Sequence, residues 1–309
     1  MTEPSPAAGE PGGDGVAARP RLDRGRLRRV LAHIDAHLEE DLSLEALSSV
    51  ARASRFHFHR RFAASAAMSP HEYVQRLRLC RAAVVLVFAP AVQVVEVALA
   101  SGYESHEAFT RAFRQRLGQA PSTFRRRPRW DLWHREYDAL RRLRSQHMQK
   151  AYRPDDVRVV DLPETPVAMV VHRGDPRGIF ASVQRLIAYR KANDLPPARH
   201  ATYNVLYGSP DGPRPDEFRM DLCVASPKPV VANEQGVLAG TIGGGRYAVL
   251  RHVGSDDTLG EAVRWLAVDW VRASGGSRRE GANVLVERLT LDPRTPPSEA
   301  LIDIYVPID

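Results

Sequence analysis

The chain has 309 residues, too many for one comfortable core and a natural length for about two domains. Its 43% hydrophobic and 26% charged residues fit a soluble globular protein, and no run approaches the ~18 apolar residues of a membrane-spanning helix. The two cysteines, Cys80 and Cys223, lie far apart in apolar patterns, which excludes a disulfide framework and a cysteine metal cluster and leaves both as core residues.

The net charge of +7 is unevenly spread. Residues 21–128 carry 18 Lys+Arg against 10 Asp+Glu, and residues 129–154 carry 7 against 3, whereas residues 155–309 carry 18 against 21. Such polarity suits one half that meets phosphate and another that does something else.

Residues 1–20 are rich in Pro, Gly, Ala and Glu and lack the basic start and apolar stretch of a secretory signal. They read as a disordered tail, and the protein as cytoplasmic and nucleoid-associated, with no membrane partner. Helical periodicity begins at Leu27 and continues through Val30, Leu31, Ile34 and Leu38. Ser43 is placed to cap a short helix that turns Leu44, Leu47 and Val50 inward. After a break at Arg52–Ala53, Ser54 caps a second helix with Phe58 and Phe62 on one side. Short helix, tight turn, short helix is the outline of a helix-turn-helix.

The pattern then returns. Val94, Val97 and Ala100 parallel Leu44, Leu47 and Val50, while Phe109, Arg111 and Phe113 parallel Phe58, Arg60 and Phe62. Between the copies, Ser69-Pro70 starts a long helix through Tyr73, Leu77, Cys80 and Val84, and Ala89-Pro90 stops it. At about 1.5 Å per residue, some 18 residues span about 27 Å, enough to hold two recognition helices in successive major grooves about 34 Å apart. On the side away from the core, the first recognition helix leaves Arg55, Phe56, His59 and Arg60. The second leaves His106, Glu107, Thr110, Arg111 and Arg114. Arg pairs bidentately with guanine, and Thr or Phe packs on a thymine methyl.

Residues 23–127 resemble the AraC/XylS-type DNA-binding domain. The likeness rests on Leu44-Glu45-Ala46-Leu47, Phe56-His57-Phe58-His59-Arg60-Arg61-Phe62 and Met68-Ser69-Pro70-His71-Glu72-Tyr73. It continues through Ala98-Leu99-Ala100-Ser101-Gly102-Tyr103, Phe109-Thr110-Arg111-Ala112-Phe113 and Pro121-Ser122-Thr123-Phe124-Arg125. The resemblance implies base contacts from Phe56, His59 and Arg60 in the first copy and His106, Glu107, Thr110 and Arg111 in the second. It also implies double-stranded promoter or operator DNA as partner, and activation as the commoner role. One departure is Arg52, which stands where the first motif usually has Gly, while Gly102 keeps it in the second; a turn that needs positive φ would strain Arg52.

Residues 129–154 read as a helical connector with a partial stripe of Leu132, Tyr137, Leu140 and Leu143. Beyond it the pattern changes to short β-like runs, and these too are duplicated. Residues 168–174 are echoed by 248–254, and the helix with Ile179, Val183 and Leu186 by Leu259, Val263 and Leu266. Met220-Asp221-Leu222-Cys223-Val224 returns as Ile302-Asp303-Ile304-Tyr305-Val306. The expected fold is therefore multidomain: an all-α double helix-turn-helix domain over residues 21–128, the connector, and an α+β domain over 155–309. The last is expected as two β-α-β-β repeats forming one antiparallel sheet with both helices on one face. Its uncovered face, or the groove between the repeats, is the natural pocket.

This second half resembles the GyrI-like small-molecule-binding domain, carried by Pro166-Val167-Ala168 to Gly174, Phe218-Arg219-Met220-Asp221, Tyr247-Ala248-Val249 to Gly254, Trp270 with Ser274-Gly275, and Asp303 to Pro307. The resemblance implies an organic effector, often amphipathic or cationic, and places Glu287 in the pocket. A carboxylate among aromatics attracts a cation through charge and cation–π contact, and Trp270 and Tyr207 are the candidate walls. His172 and His252 open equivalent turns, which favours a structural role. His57 and His59 lie on different faces of one helix, a poor geometry for a shared metal, so no metal or other cofactor is expected. No GxSxG, Walker or HExxH motif is present, and the protein reads as a non-enzyme regulator that contacts DNA, an effector and RNA polymerase. The alternative is a small-molecule hydrolase fused to a DNA-binding module, with Glu287 as general base.

Overall fold

A computed structural model describes residues 21–208, 212 and 214–309; the tail expected over residues 1–20 lies outside the described residues. Helix α1 (Arg24–Ala36) starts where the Asp23 carboxylate accepts from the Arg26 amide. Ser43, Ser54 and Ser69 cap α2 (Leu44–Val50), α3 (Arg55–Ala66) and α4 (Pro70–Phe88) in the same way. The second copy follows as α5 (Val94–Ala100) and α6 (His106–Leu117), then the short α7 (Pro121–Arg126). Each cap satisfies an amide that the first helical turn leaves without a carbonyl.

The repeat is visible in the core as two ladders of rings. Phe58, Phe62 and Tyr73 stand 5.6 and 5.7 Å apart, and Phe109, Phe113 and Phe124 stand 5.4 and 5.5 Å apart. All six are fully buried, and tilted or edge-on ring pairs at this spacing favour one packing over its alternatives. The 19 residues of α4 hold the two ladders apart, about 28 Å end to end. Arg52 and Gly102 occupy the equivalent turns with φ of 50° and 74°, so the first copy does carry the left-handed strain expected of it. Glycine is required in the second copy for a further reason: a Cβ on Gly102 would lie 2.5 Å from the Arg78 guanidinium. Arg78 cannot move freely, because it donates to the Leu38 and Glu40 carbonyls at the end of α1.

The expected connector is helix α8 (Trp130–His147), and it is more than a spacer. Trp133, Leu140 and Leu143 are buried in the core shared with α1–α7, and the Trp133 indole donates to the Cys80 carbonyl at 2.8 Å. Its other side meets the sheet half. Phe180 packs 4.2 Å from Trp130 and 5.7 Å from Phe88. Arg144, 1% exposed, pairs with Asp35 of α1 and with Asp257 at 2.5 Å, and donates to Ser255 at 3.1 Å. Tyr137 adds a 2.8 Å bond to Asp257, so a desolvated ion cluster spans the seam between the halves.

The strands are β1 (Val157–Leu162), β2 (Thr165–Arg173), β3 (Thr202–Leu206), β4 (Arg219–Ala225), β5 (Leu238–Ile242), β6 (Gly245–Val253), β7 (Val284–Arg288) and β8 (Leu301–Pro307). They form one eight-stranded antiparallel sheet in the order β1-β6-β8-β7-β3-β4-β2-β5. The order is a palindrome: β1 to β4 and β5 to β8 are related by a pseudo-twofold axis that passes between β3 and β7. Each repeat holds one leading strand more than expected, β1 or β5, and that strand pairs with the other repeat. Both are edge strands, largely exposed or half-buried, and β5 contains Gly240, so neither alternates clearly enough to be read as a strand.

Helix α9 (Ile179–Ala192) covers the first repeat. Helix α10 (Leu259–Arg264), extended by a π-helical segment (Trp265–Trp270) and a last turn (Val271–Ala273), covers the second. Ala168, Leu222 and Val224 pack with α9, and Ala248, Leu250 and Ile304 pack with α10, all on one face of the sheet. The opposite face carries no helix; Cys223, Tyr247, Val249, Leu285 and Tyr305 are nevertheless buried there.

Candidate functional site

On α3, Arg55, Phe56, His59 and Arg60 are all exposed, while Phe58 and Phe62 are fully buried. A 71% exposed phenylalanine is costly in water, and here the Arg60 guanidinium lies 5.6 Å above its ring. Arg55 stands 3.7 Å from the Glu45 carboxylate of α2. On α6, His106, Glu107 and Arg111 are exposed in the same arrangement. Hydrogen bonds from its own backbone amide and from Ser105 hold the Glu107 carboxyl below its usual range, so Glu107 also serves the helix N-terminus. Thr110 is only half-buried, and its hydroxyl is enclosed without a partner, so it offers a duplex less polar surface than its neighbours do. Both helices thus present a basic, partly apolar face to solvent. Other arginines of this half are engaged inside it: Arg76 and Arg116 both reach Glu72 and Glu136 between α4, α6 and α8.

In the sheet half, the two repeats can be compared position by position. Some features are shared. The ring of His172 meets the Asp175 carbonyl at 3.1 Å, and that of His252 meets the Ser255 carbonyl at 3.2 Å, the same bond in each turn. Asp221 and Asp303 are each buried and held by arginine, at 2.8 Å from Arg219 and 2.7 Å from Arg251. The histidine bond and the buried aspartate are common to both copies, but the arginines are not: Arg219 lies on the strand of Asp221, whereas Arg251 reaches Asp303 from β6, where the first copy has Val171. Close to the axis the copies differ: Glu287 of β7 replaces Val205 of β3, Tyr203 replaces Leu285, and Tyr305 replaces Cys223. Register confirms the equivalence, with Tyr203 opposite Glu287 and Val205 opposite Leu285.

These three unmatched residues meet on the helix-free face. The Tyr305 hydroxyl donates to Glu287 at 2.6 Å, and Tyr203 lies beside the same carboxylate on the neighbouring strand. Burial, with the Glu287 charge, pushes the Tyr203 phenol up to about 12 and that of Tyr305 higher still. Both phenols therefore stay neutral, and the charged neighbours of Glu287 are Asp303, directly opposite it, and the Arg251 and Arg158 guanidinium groups that hold Asp303. Sequence reasoning found Glu287 but missed both tyrosines. Their signal lies in strand pairing, Tyr203 from the other repeat and Tyr305 from the next strand 18 residues on, which no local pattern carries.

The two expected walls are placed elsewhere. Trp270 sits in the π-helical segment on the opposite, helix-covered face, half-buried against the α10 core, with its indole donating to the Pro154 carbonyl at 3.3 Å. It cannot share a pocket with Glu287, because the sheet lies between them. Tyr207 is on the Glu287 face but four residues beyond Tyr203, about 13 Å along the strand. There it donates to Asp221 at 2.7 Å beneath the Arg219 guanidinium, 3.9 Å from its ring. No group of His, Cys, Asp and Glu suited to a metal ion occurs among the described residues, and no helix among them is long and apolar enough to cross a membrane.

Residues 155–309 match the family described as the GyrI-like small molecule binding domain, and residues 47–127 match a helix-turn-helix domain. The probable transcriptional regulator YgiV of Escherichia coli K12 is 36% identical over 154 residues, covering 50% of this chain and 96% of that protein. The right origin-binding protein of the same organism is 32% identical over 106 residues, covering 34% of this chain and 36% of its own length. The solved DNA-binding domain of AdpA, in complex with a target DNA, is 32% identical, covers 34% of this chain and 97% of that one, and superposes with a TM-score of 0.32.

Proposed function

This chain belongs to the GyrI-like family and carries an AraC-type helix-turn-helix domain, and from that premise we propose that it is a sequence-specific transcriptional regulator whose sheet half senses a cationic organic effector. The observation that carries the effector reading is the Glu287–Tyr305 pair beside Tyr203 at the pseudo-twofold axis. The Glu287 carboxylate between two neutral phenols, on a face whose floor is apolar, attracts a flat or amphipathic cation by charge and cation–π contact, while the neighbouring Arg251 and Arg158 are held by Asp303. Double-stranded DNA is read by Arg55, Phe56, His59 and Arg60 on α3 and by His106, Glu107, Thr110 and Arg111 on α6. Effector occupancy changes the DNA-bound geometry, or the access of RNA polymerase, and so changes transcription.

The test is a titration of a labelled fragment of the gene's own upstream region with the full chain, at two salt concentrations and against scrambled DNA. Selective binding that weakens steeply with salt supports the reader, and equal weak binding to both DNAs removes it. A lipophilic aryl phosphonium cation serves as effector probe: Glu287→Gln is expected to weaken its binding about tenfold, and unchanged affinity sinks the assignment. The hydrogen-bonded Tyr305–Glu287 pair also fits a second reading, in which the carboxylate is a general base for hydrolysis. Turnover of a bound electrophilic probe, lost in Glu287→Gln, would favour that reading; reversible binding without turnover favours the sensor.

A further inference from the structure

The helix-covered face of the sheet also breaks its own symmetry, at one residue. Asn204 of β3 stands directly opposite Val286 of β7, and the two are equivalent by repeat, so this pair lies on the pseudo-twofold axis. Val286 is fully buried, as a central sheet position should be. Asn204 is only 7% exposed, yet its amide nitrogen reaches nothing better than the Met220 sulfur at 3.6 Å. Its amide oxygen accepts no hydrogen bond among the described residues. The other repeat shows that the fold accepts valine here, so packing does not require the amide.

Asn204 faces open space. It lines a cavity of about 2150 Å³ that runs between α9 and α10 and out to the seam with the helical half, where Val84, Phe88 and Trp133 contribute. The apolar clusters under the two helices are separate, and the cavity occupies the gap between them. Leu206, Met220, Leu222 and Val284 surround Asn204 there, all apolar. The nearby Arg190 guanidinium is fully engaged, bonding the Leu195 and His200 carbonyls and the Thr202 hydroxyl. Charged side chains line the cavity away from Asn204, and Arg264 and Arg288 among them are paired with Glu261 and Asp256; beside Asn204 itself a neutral ligand would gain apolar contact and one amide partner.

We propose that this cavity is a second ligand site, distinct from the Glu287 face, which takes an uncharged, largely apolar organic molecule with its carbonyl or hydroxyl group on Asn204. The site stands on the far side of the sheet from Glu287 and does not depend on the effector reading above. Its rim reaches α4 and α8, so the cavity borders both halves of the chain.

The experiment uses the full chain and prodan, an uncharged naphthalene dye with one ketone, whose emission reports polarity. Saturable binding of one dye per chain with blue-shifted emission is expected, weakened at least tenfold in Asn204→Val and changed less than twofold in Glu287→Gln. Asn204→Leu, which keeps the volume and removes the amide, repeats the test should the valine variant not fold; thermal unfolding establishes which variants are native. Native Asn204 variants that bind the dye as tightly as the parent would overturn the proposal. So would a parent chain with no saturable binding, or loss of binding in Glu287→Gln alone.

Discussion

Both halves of this molecule are built from duplicated units, but they place their differences in opposite locations. In the helical half the buried rings repeat, Phe58-Phe62-Tyr73 against Phe109-Phe113-Phe124, and the outward positions diverge at Phe56 against Glu107 and His59 against Thr110, while Arg60 and Arg111 are kept. In the sheet half the peripheral polar groups repeat, His172 with His252 and Asp221 with Asp303, and the central residues diverge. The reason is geometric. Helices α3 and α6, held apart by α4, each turn a separate exposed face to solvent, so each copy has its own outer surface. Two repeats sharing one sheet meet at the axis, where equivalent positions stand side by side and unlike residues form one composite surface. Duplication gives two separate outer faces in one half and one composite region in the other.

The strongest challenge to this picture is at the seam. Arg144→Ala would leave Asp35 and Asp257 buried without their cation, and should cost about 3–5 kcal/mol in denaturant unfolding. A loss under about 1 kcal/mol would mean that the halves are not held together by this cluster. Next come the outer surfaces: Arg60→Ala and Arg111→Ala should each cost about 1–3 kcal/mol of operator binding, and the two losses should add, because the residues lie on separate helices without shared partners. Equal losses on operator and random DNA would reassign them to phosphate.

A smaller effect concerns pH. Burial lowers the His252 pKa below its ordinary 6.5, and burial likewise lowers that of His134, which meets the Arg177 carbonyl at 2.9 Å across the seam. The unfolded chain then binds more protons than the folded one below about pH 6.5, so stability is full above that pH and declines as pH falls through the folded values. Unfolding midpoints that stay constant from pH 7.5 to 5.5 would contradict this. The smallest expected change tests the two turns against each other. Arg52→Gly should stabilise by about 1 kcal/mol at most, the relief of left-handed strain less the entropy of glycine. Gly102→Ala should destabilise, since its Cβ meets the pinned Arg78; thermal unfolding of both variants distinguishes the copies.

The sequence alone determined what depends on neighbours within a few turns of chain. Caps at Ser43, Ser54 and Ser69, the buried aromatic rows, the exposed faces of α3 and α6 and both duplications are local or periodic signals, and Arg52 could be singled out because its partner copy holds Gly102. Glu287 was legible through the family resemblance. Tertiary structure alone decided which residues stand around it. Strand pairing between the repeats sets Tyr203 beside Glu287, pairing within the second repeat adds Tyr305, and the sheet puts Trp270 on the other face and leaves Tyr207 with Asp221. The edge strands β1 and β5, half-covered and exchanged between repeats, had too weak an alternation to be seen. Helix α8 carried only a partial stripe because its second contact is with the sheet half, and a surface shared by two domains shows no simple period along the chain that supplies it.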